Sequence, residues 1–167
     1  MEIGESFVGE GAHAAHVNTV LGPRSGPVGT AWATALATPS AGHAPFVAVI
    51  RPGVPAKPLT LFVNKAAIAG DAHATLTWGA AQAGVASGVA DAVADGVIPG
   101  GEVDELVLIA AVWVDPAARD AAAVYRNNRA ATRAALESGR KREPALEQVL
   151  AARVTPANPF FTAPEGH

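Results

Sequence analysis

Apolar runs separated by glycine and proline predict the strands of this chain. Residues 2–9 and 14–21 predict two strands joined by a glycine-rich turn. Residues 46–50 and 59–64 are short apolar runs bounded by proline, a pattern typical of buried strands. Residues 106–114 form the longest continuous apolar run and predict a central strand.

Two helices are predicted before that central strand. Ser25 or Gly26 caps the first helix, which begins at Pro27 and runs to about residue 37. The second helix ends near Gly96. Its apolar residues recur at every fourth position and therefore share one face: Ala81, Val85, Val89 and Val93.

A long helix is expected after the central strand. Asp115 and Pro116 supply an N-cap and a first-turn proline, and the pattern extends to about residue 137. A basic stripe follows one side of this helix at spacings of three and four residues: Arg126, Arg129 and Arg133. A solvated face is the favoured interpretation of the stripe, and a contact between subunits is the alternative.

The order of elements predicts a single α+β domain over residues 1–167, an α/β two-layer arrangement in which helices pack on a mixed sheet. Residues 52–58 are expected to be a rigid, extended linker within it. Residues 140–167 form a proline-rich C-terminal extension that begins with a short helix. Two adjacent aromatic residues in it, Phe160 and Phe161, need cover from the domain or from a neighbouring subunit.

Composition excludes several classes of protein. The formal charge of −3 over 167 residues gives no basic field that would recruit nucleic acid. The chain has no cysteine, which excludes disulfides and thiolate chemistry. Residues 1–5 do not resemble a signal peptide, and the alanine-rich runs are too polar and short to span a bilayer. We therefore expect a soluble cytoplasmic protein without nucleic-acid or membrane partners.

Three polar side chains stand inside apolar runs of a chain that is 50% hydrophobic and only 16% charged: His16, Lys65 and Gln82. Burying such groups costs several kcal/mol unless they are paired or face a pocket where a ligand pairs them. Structural alternatives exist for each. They are a histidine bonded to backbone, a lysine that extends from a strand end to solvent, and an amide that caps local backbone at a helix end.

Other kinds of site find less support. The glycines of residues 22–29 lack the spacing of a phosphate-binding loop, so a plain turn is the better interpretation. No nucleophile motif is present. The five histidines show no metal-ligand spacing with carboxylates, and no metal is predicted: His13, His16, His43, His73 and His167.

The order of these motifs resembles that of the formaldehyde-activating enzymes, from about residue 8 to residue 133. The resemblance begins with Ala-His-Val-Asn in the second strand, which leads to Gly-Pro-Arg at 22–24. It continues through Asn-Lys at 64–65, Gly-Ala-Ala-Gln-Ala-Gly-Val at 79–85 and the run 91–99. No single motif is specific, but their order and spacing along one chain are.

The resemblance implies an enzyme that condenses formaldehyde with tetrahydromethanopterin, in a cleft between subunits of a homopentamer. His16 matches the position of the family's proton donor. The positions expected to bind substrate are Asn18, Val47, Lys65, Ala67 and Gln82. Tetrahydromethanopterin would be a co-substrate, with no covalently bound cofactor and no metal.

Three of these positions depart from the family pattern. Asn18 stands where the family has aspartate, Ala67 where it has threonine, and Val47 at a leucine-like position. Two alternatives therefore stay open beside the enzyme. One is a non-catalytic carrier or sensor that binds a pterin or a small carbonyl compound, and the other is an enzyme of this fold that uses a different pterin or amine.

Overall fold

The computed structural model describes residues 1–158 and 161–164. Its strands are β1 (Glu2–Val8), β2 (Ala15–Pro23), β3 (Phe46–Val47), β4 (Val49–Arg51), β5 (Val54–Pro55), β6 (Leu59–Asn64), β7 (Leu106–Trp113), β8 (Ala157–Asn158) and β9 (Phe161–Thr162). Its α-helices are α1 (Pro27–Ala37), α2 (Asp71–Thr75), α3 (Gln82–Ala94), α4 (Ala121–Lys141) and α5 (Leu146–Ala152). A π-helical segment, Leu76–Ala81, joins α2 to α3.

A five-stranded mixed sheet carries the fold, with strand order β1-β2-β7-β6-β3. Only β6 and β7 run parallel, and the other neighbours are antiparallel. The apolar run predicted to be central is indeed the middle strand, β7, flanked on both sides. The predicted α+β class and the single mixed sheet with packed helices are confirmed.

Helices α3 and α4 cover one face of this sheet, which we call the helix face. Its strands contribute fully buried residues to the core, among them Val17, Phe62 and Val112, and α3 contributes Val85 and Val89 to the same cluster. Burial alternates strictly along the first part of β2. The residues between the buried ones therefore point to the opposite face, which we call the open face.

Glycines let the two helices approach each other closely. A Cβ built on Gly84 would lie 2.5 Å from the Tyr125 carbonyl oxygen, and one on Gly88 would lie 2.5 Å from the Arg129 carbonyl oxygen. Real side chains do not tolerate such contacts, so α3 and α4 pack backbone against backbone at these two positions.

Helix α4 begins five residues later than the sequence predicts. The Asp115 carboxylate accepts a hydrogen bond from Ala117 N–H at 2.7 Å and closes a turn there. His13 Nε2 then accepts the N–H groups of Arg119 and Asp120, at 3.3 and 3.1 Å. The true N-cap is Asp120, which accepts the N–H groups of the next turn. The prediction that placed the start at Pro116 was wrong because a tertiary contact from His13 holds this segment outside the helix.

The linker prediction for residues 52–58 was also wrong in part. Strands β4 and β5 pair as a small antiparallel hairpin, with Gly53 in the left-handed region at φ +79°. Pro52 lies in the turn and Pro55 in β5, and this limits the hairpin to a few residues, since proline donates no ladder hydrogen bond.

Two arginines of the predicted stripe on α4 form ion pairs within the chain. Arg129 pairs with Asp91 at 2.6 Å and Arg133 with Asp95 at 2.7 Å. Both carboxylates belong to α3 and the turn that follows it, so these pairs join the two helices. Both arginine side chains stay exposed, by 46% and 40%, so the favoured solvated face agrees with the single chain and the contact between subunits stays a prediction.

The C-terminal extension contains α5 and the β8–β9 hairpin. Phe161 is 54% exposed in the single chain, so the domain itself does not cover it. Phe160 and His167 lie outside the described residues. No helix among those the structure describes is long and apolar enough to cross a bilayer.

Candidate active site

The open face of the sheet carries most of the polar residues singled out by sequence. On β2, His16 and Asn18 alternate with the buried residues of the core and therefore point away from α3 and α4. Their cross-strand neighbours share this face: Phe7 lies opposite His16, and Glu5 lies opposite Asn18. On the other side of β2, Trp113 of β7 lies opposite His16.

His16 contacts the Glu5 carboxylate, and the two form an ion pair when the imidazole is protonated. Its Nε2 lies 2.9 Å from Glu5 Oε1, and the ring of Phe7 packs beside it with ring centroids 5.7 Å apart. Burial is the main influence on the His16 pKa and lowers it, and the nearby Lys65 ammonium lowers it further. The Glu5 carboxylate opposes both influences without cancelling them, so the pKa stays below its ordinary value.

Lys65 reaches across the sheet to Asn18. Its Nζ donates to Asn18 Oδ1 at 2.7 Å, and its backbone N–H donates to the Val112 carbonyl at 2.8 Å. Partial burial lowers the Lys65 pKa, while the negative charge of Glu5 acts in the opposite direction. One cation, one anion and one imidazole therefore share a small area of the open face.

The backbone before and after Lys65 is fixed by a loop that precedes β3. Asn64 is buried and donates through Nδ2 to the Gly42 and Ala66 carbonyls, at 2.8 and 2.7 Å. The ring of His43 lies against the Asn64 carbonyl, with its Nδ1 at 2.8 Å. Lys65 thus follows a fixed stretch of backbone, and the bond to Asn18 Oδ1 orients its ammonium.

Val47 and Ala67 lie near this anchor. Val47 is the register partner of Leu61 and so belongs to the edge of the sheet next to β6. Ala67 is exposed two residues after Lys65, and Gly42 packs closely against it. The structure therefore places both positions on the Lys65 side of the sheet.

Gln82 stands apart from these residues. It begins α3, which packs on the helix face, and it is only 6% exposed. Its amide binds the backbone of Val49 twice: Val49 N–H donates to Oε1 at 2.6 Å, and Nε2 donates to the Val49 carbonyl at 3.2 Å. Within one chain, the structure does not bring Gln82 to His16.

A pocket of about 430 Å³ opens beside His16. Glu5, Phe7 and His16 form one wall, and Ala157 and Asn158 of the C-terminal hairpin form the other. Sequence reasoning missed Glu5 and Asn158. Glu5 could have been found by pairing the two predicted strands so that Glu5 lies opposite Asn18. Nothing in the sequence points to Asn158.

This arrangement can transfer a proton and bind an oxygen-rich ligand. The imidazole exchanges protons near neutrality, and the ammonium and the amide offer donors. Among the residues that the structure describes, no group of three or more histidine or carboxylate side chains could hold a metal ion.

Sequence comparison finds similar proteins along nearly the whole chain. The family profile described as formaldehyde-activating enzyme (Fae) matches residues 3–161. A bifunctional enzyme Fae/Hps of Methanosphaera stadtmanae is 40% identical over 160 residues, 96% of this chain and 39% of the relative. The Fae/Hps enzyme of Methanococcoides burtonii is 44% identical over 150 residues, 90% of this chain and 38% of the relative.

A shorter relative matches this chain over most of its own length. The 5,6,7,8-tetrahydromethanopterin hydro-lyase of Methanosarcina barkeri is 40% identical over 158 residues, which are 95% of this chain and 89% of the relative. By contrast, the chain spans about two fifths of the length of the bifunctional relatives. From the family match over nearly its whole length and from these relatives, the chain belongs to the formaldehyde-activating enzyme family.

Proposed function

We propose that this chain condenses formaldehyde with tetrahydromethanopterin, giving the methylene derivative and water. The observation that carries the proposal is the pocket on the open face, where His16 stands at the family's proton-donor position with Lys65 nearby. The hydro-lyase relative, which this chain nearly spans, acts on the same pterin by its name.

The reaction needs a proton rather than a nucleophile. A pterin nitrogen adds to the carbon of formaldehyde, and its proton moves to the oxygen to give a carbinolamine. His16 donates a proton to the hydroxyl group, which leaves as water and gives an iminium ion. The second nitrogen closes on the iminium carbon and releases a proton, which returns to His16. Positioning and general acid–base catalysis suffice for these steps.

Lys65 and Asn18 would bind the pterin. Lys65 offers a positive charge and three donors to a carbonyl oxygen of the ligand. Asn18 holds the ammonium in place by accepting one of its protons. Because Asn18 is neutral, this pair has less electrostatic strength than the lysine–aspartate pair of the family pattern would have.

We further propose that the chain works as a homo-oligomer, with a pentamer as the expected state. Several apolar side chains of the C-terminal extension are exposed together, which is typical of a surface that another subunit covers. They are 48–67% exposed in the single chain: Leu146, Val149, Leu150, Val154 and Phe161. Sites between subunits would also account for Gln82, which its own chain does not bring to His16. The substrate-binding assignment of Gln82 stays a prediction.

A non-catalytic carrier or sensor is the second candidate, and the replacements Asn18 and Ala67 favour it. A third candidate is an enzyme of this fold that acts on a different pterin or amine. One experiment separates them: the loss of free formaldehyde is followed with and without tetrahydromethanopterin, and binding of the pterin is measured in parallel.

Acceleration over the uncatalysed reaction supports the proposed enzyme. Pterin binding without acceleration supports the carrier. If the pterin neither binds nor accelerates the loss of formaldehyde, a different ligand is supported. The His16→Gln variant serves as the control for acceleration, because it preserves polarity at the site and removes the titratable group.

A further inference from the structure

Glu5 carries a carboxylate on the open face that the proposed reaction does not use. It lies on the edge strand β1. Phe7 is directly opposite His16 and Glu5 is directly opposite Asn18, so Glu5 and His16 are diagonal neighbours on the same face of the sheet. Diagonal neighbours of this kind are within reach of long side chains. The separation of 2.9 Å between His16 Nε2 and Glu5 Oε1 is that of a direct hydrogen bond.

We propose that Glu5 is a positioning residue for the His16 imidazole: its carboxylate holds the N–H at Nε2 and leaves Nδ1 to exchange protons with substrate. The role in catalysis rests on the proposed function, and the pairing itself does not. A carboxylate accepts hydrogen bonds and does not donate them when ionised, so its partner nitrogen must carry the proton. The other nitrogen of a neutral imidazole is then the basic one.

The charges around His16 support this role. Among residues 1–158 and 161–164, two charged groups face the imidazole, Glu5 from β1 and Lys65 from the end of β6, and Asn18 between them is neutral. Lys65 and burial both disfavour the imidazolium, whereas Glu5 favours it. Without Glu5, the protonated form that donates to the carbinolamine would be rarer at every pH near neutrality.

An alternative is that Glu5 and His16 form an ordinary surface ion pair. The Glu5 side chain is 60% exposed in the single chain, and exposed pairs contribute little to stability. The two interpretations differ in their consequences. A surface pair without a catalytic role would leave kcat and its pH dependence unchanged when the carboxylate is removed, even though the pKa of His16 falls. Loss of a positioning residue would alter both.

The test compares Glu5→Gln with Glu10→Gln in the full chain. Both variants remove one negative charge, but Glu10 lies in the turn after β1 and does not face His16. Nitrogen-detected NMR of the histidine rings reports the tautomer and the pKa of His16 without any need for activity. We expect the Nε2–H tautomer in the wild type, and in Glu5→Gln a lower pKa and a loss of that preference. Glu10→Gln should match the wild type.

Kinetics supply the second measurement. In Glu5→Gln, kcat at neutral pH should fall about tenfold, because the lower pKa of His16 leaves less of the protonated acid. The KM for the pterin should stay nearly unchanged, and activity should recover toward lower pH. If Glu5→Gln does not fold, Glu5→Asp withdraws the carboxylate by one methylene group and is assayed in the same way.

An unchanged tautomer and pKa in the folded variant would overturn the proposal, and so would a fall in activity that is independent of pH. Absence of any acceleration by the wild type would instead refute the proposed function. The NMR comparison would still decide whether Glu5 positions His16.

Discussion

Lys65 Nζ donates to Asn18 Oδ1 across strand β7, which lies between β2, where Asn18 stands, and β6, which ends just before Lys65. Ala111 is the β7 residue directly opposite Asn18, and its small side chain leaves the path open. The pair therefore depends on the order of three strands. It joins Lys65 and Asn18, whose substitution we expect to change ligand binding most directly.

Replacing Asn18 with aspartate, together with Ala67→Thr, should strengthen tetrahydromethanopterin binding or turnover. A charge-assisted hydrogen bond contributes about 1.5–3 kcal/mol against about 1 for a neutral one, so roughly a tenfold gain is expected. The added charge would also raise the His16 pKa. Affinity and kcat are measured against the wild type and each single variant. If the folded double variant binds and turns over this pterin no better, the pocket serves another ligand.

Replacing His16 with glutamine should lower the catalysed rate about 10²–10⁴-fold, the usual contribution of a general acid. His13→Gln is the matched control, because His13 binds backbone N–H groups before α4 and does not line the pocket beside His16. Initial rates of formaldehyde consumption are corrected for the uncatalysed reaction. A His16 variant within a factor of about two of the wild type would remove the proton-donor assignment.

The rate should fall as pH rises, with a midpoint below the ordinary histidine value of 6.5. Burial and the Lys65 charge lower the His16 pKa, and the acid is the protonated form, so the active fraction declines above that lowered value. Replacing Lys65 with methionine removes the positive charge and should move the midpoint of kcat/KM upward. Lys57→Met, which removes a charge that pairs with Asp104, should leave it in place. A midpoint above 6.5 in the wild type would contradict this account.

Gly88→Ala should destabilise the fold by about 2 kcal/mol or more, because the new Cβ would meet the Arg129 carbonyl oxygen at 2.5 Å and Thr132 Cβ at 2.9 Å. The control is Gly101→Ala, since nothing lies within 4 Å of a Cβ at that position. Urea unfolding monitored by circular dichroism compares the two. Equal midpoints would show that α3 and α4 can separate without cost.

Leu150→Asp should shift the proposed homo-oligomer toward smaller species, because it places a charge among the exposed apolar residues of α5. Light scattering should give about five times the chain mass of 16.8 kDa for the wild type. Glu147→Gln on the same helix should keep that mass. A wild type that scatters as a single chain at micromolar concentration would refute the oligomer.

Local patterns predicted the elements well, and tertiary contacts explain where they failed. Alternation along β2 is a property of neighbouring residues, so the shared face of His16 and Asn18 could be read from the sequence. The pairing of Asn18 with Lys65 spans 47 positions and requires the strand order. The start of α4 depends on His13, more than a hundred residues earlier in the chain, which no local pattern reveals.

The strict alternation of β2 has a consequence for how this protein can vary. A one-residue insertion or deletion within the strand would exchange its two faces, turning His16 and Asn18 toward the helices and Val17 toward solvent. Residues of the candidate site and residues of the core thus alternate within one short strand, so a change of its length would disrupt both together. We therefore expect changes of length in the turns that flank the strand and only substitutions within it.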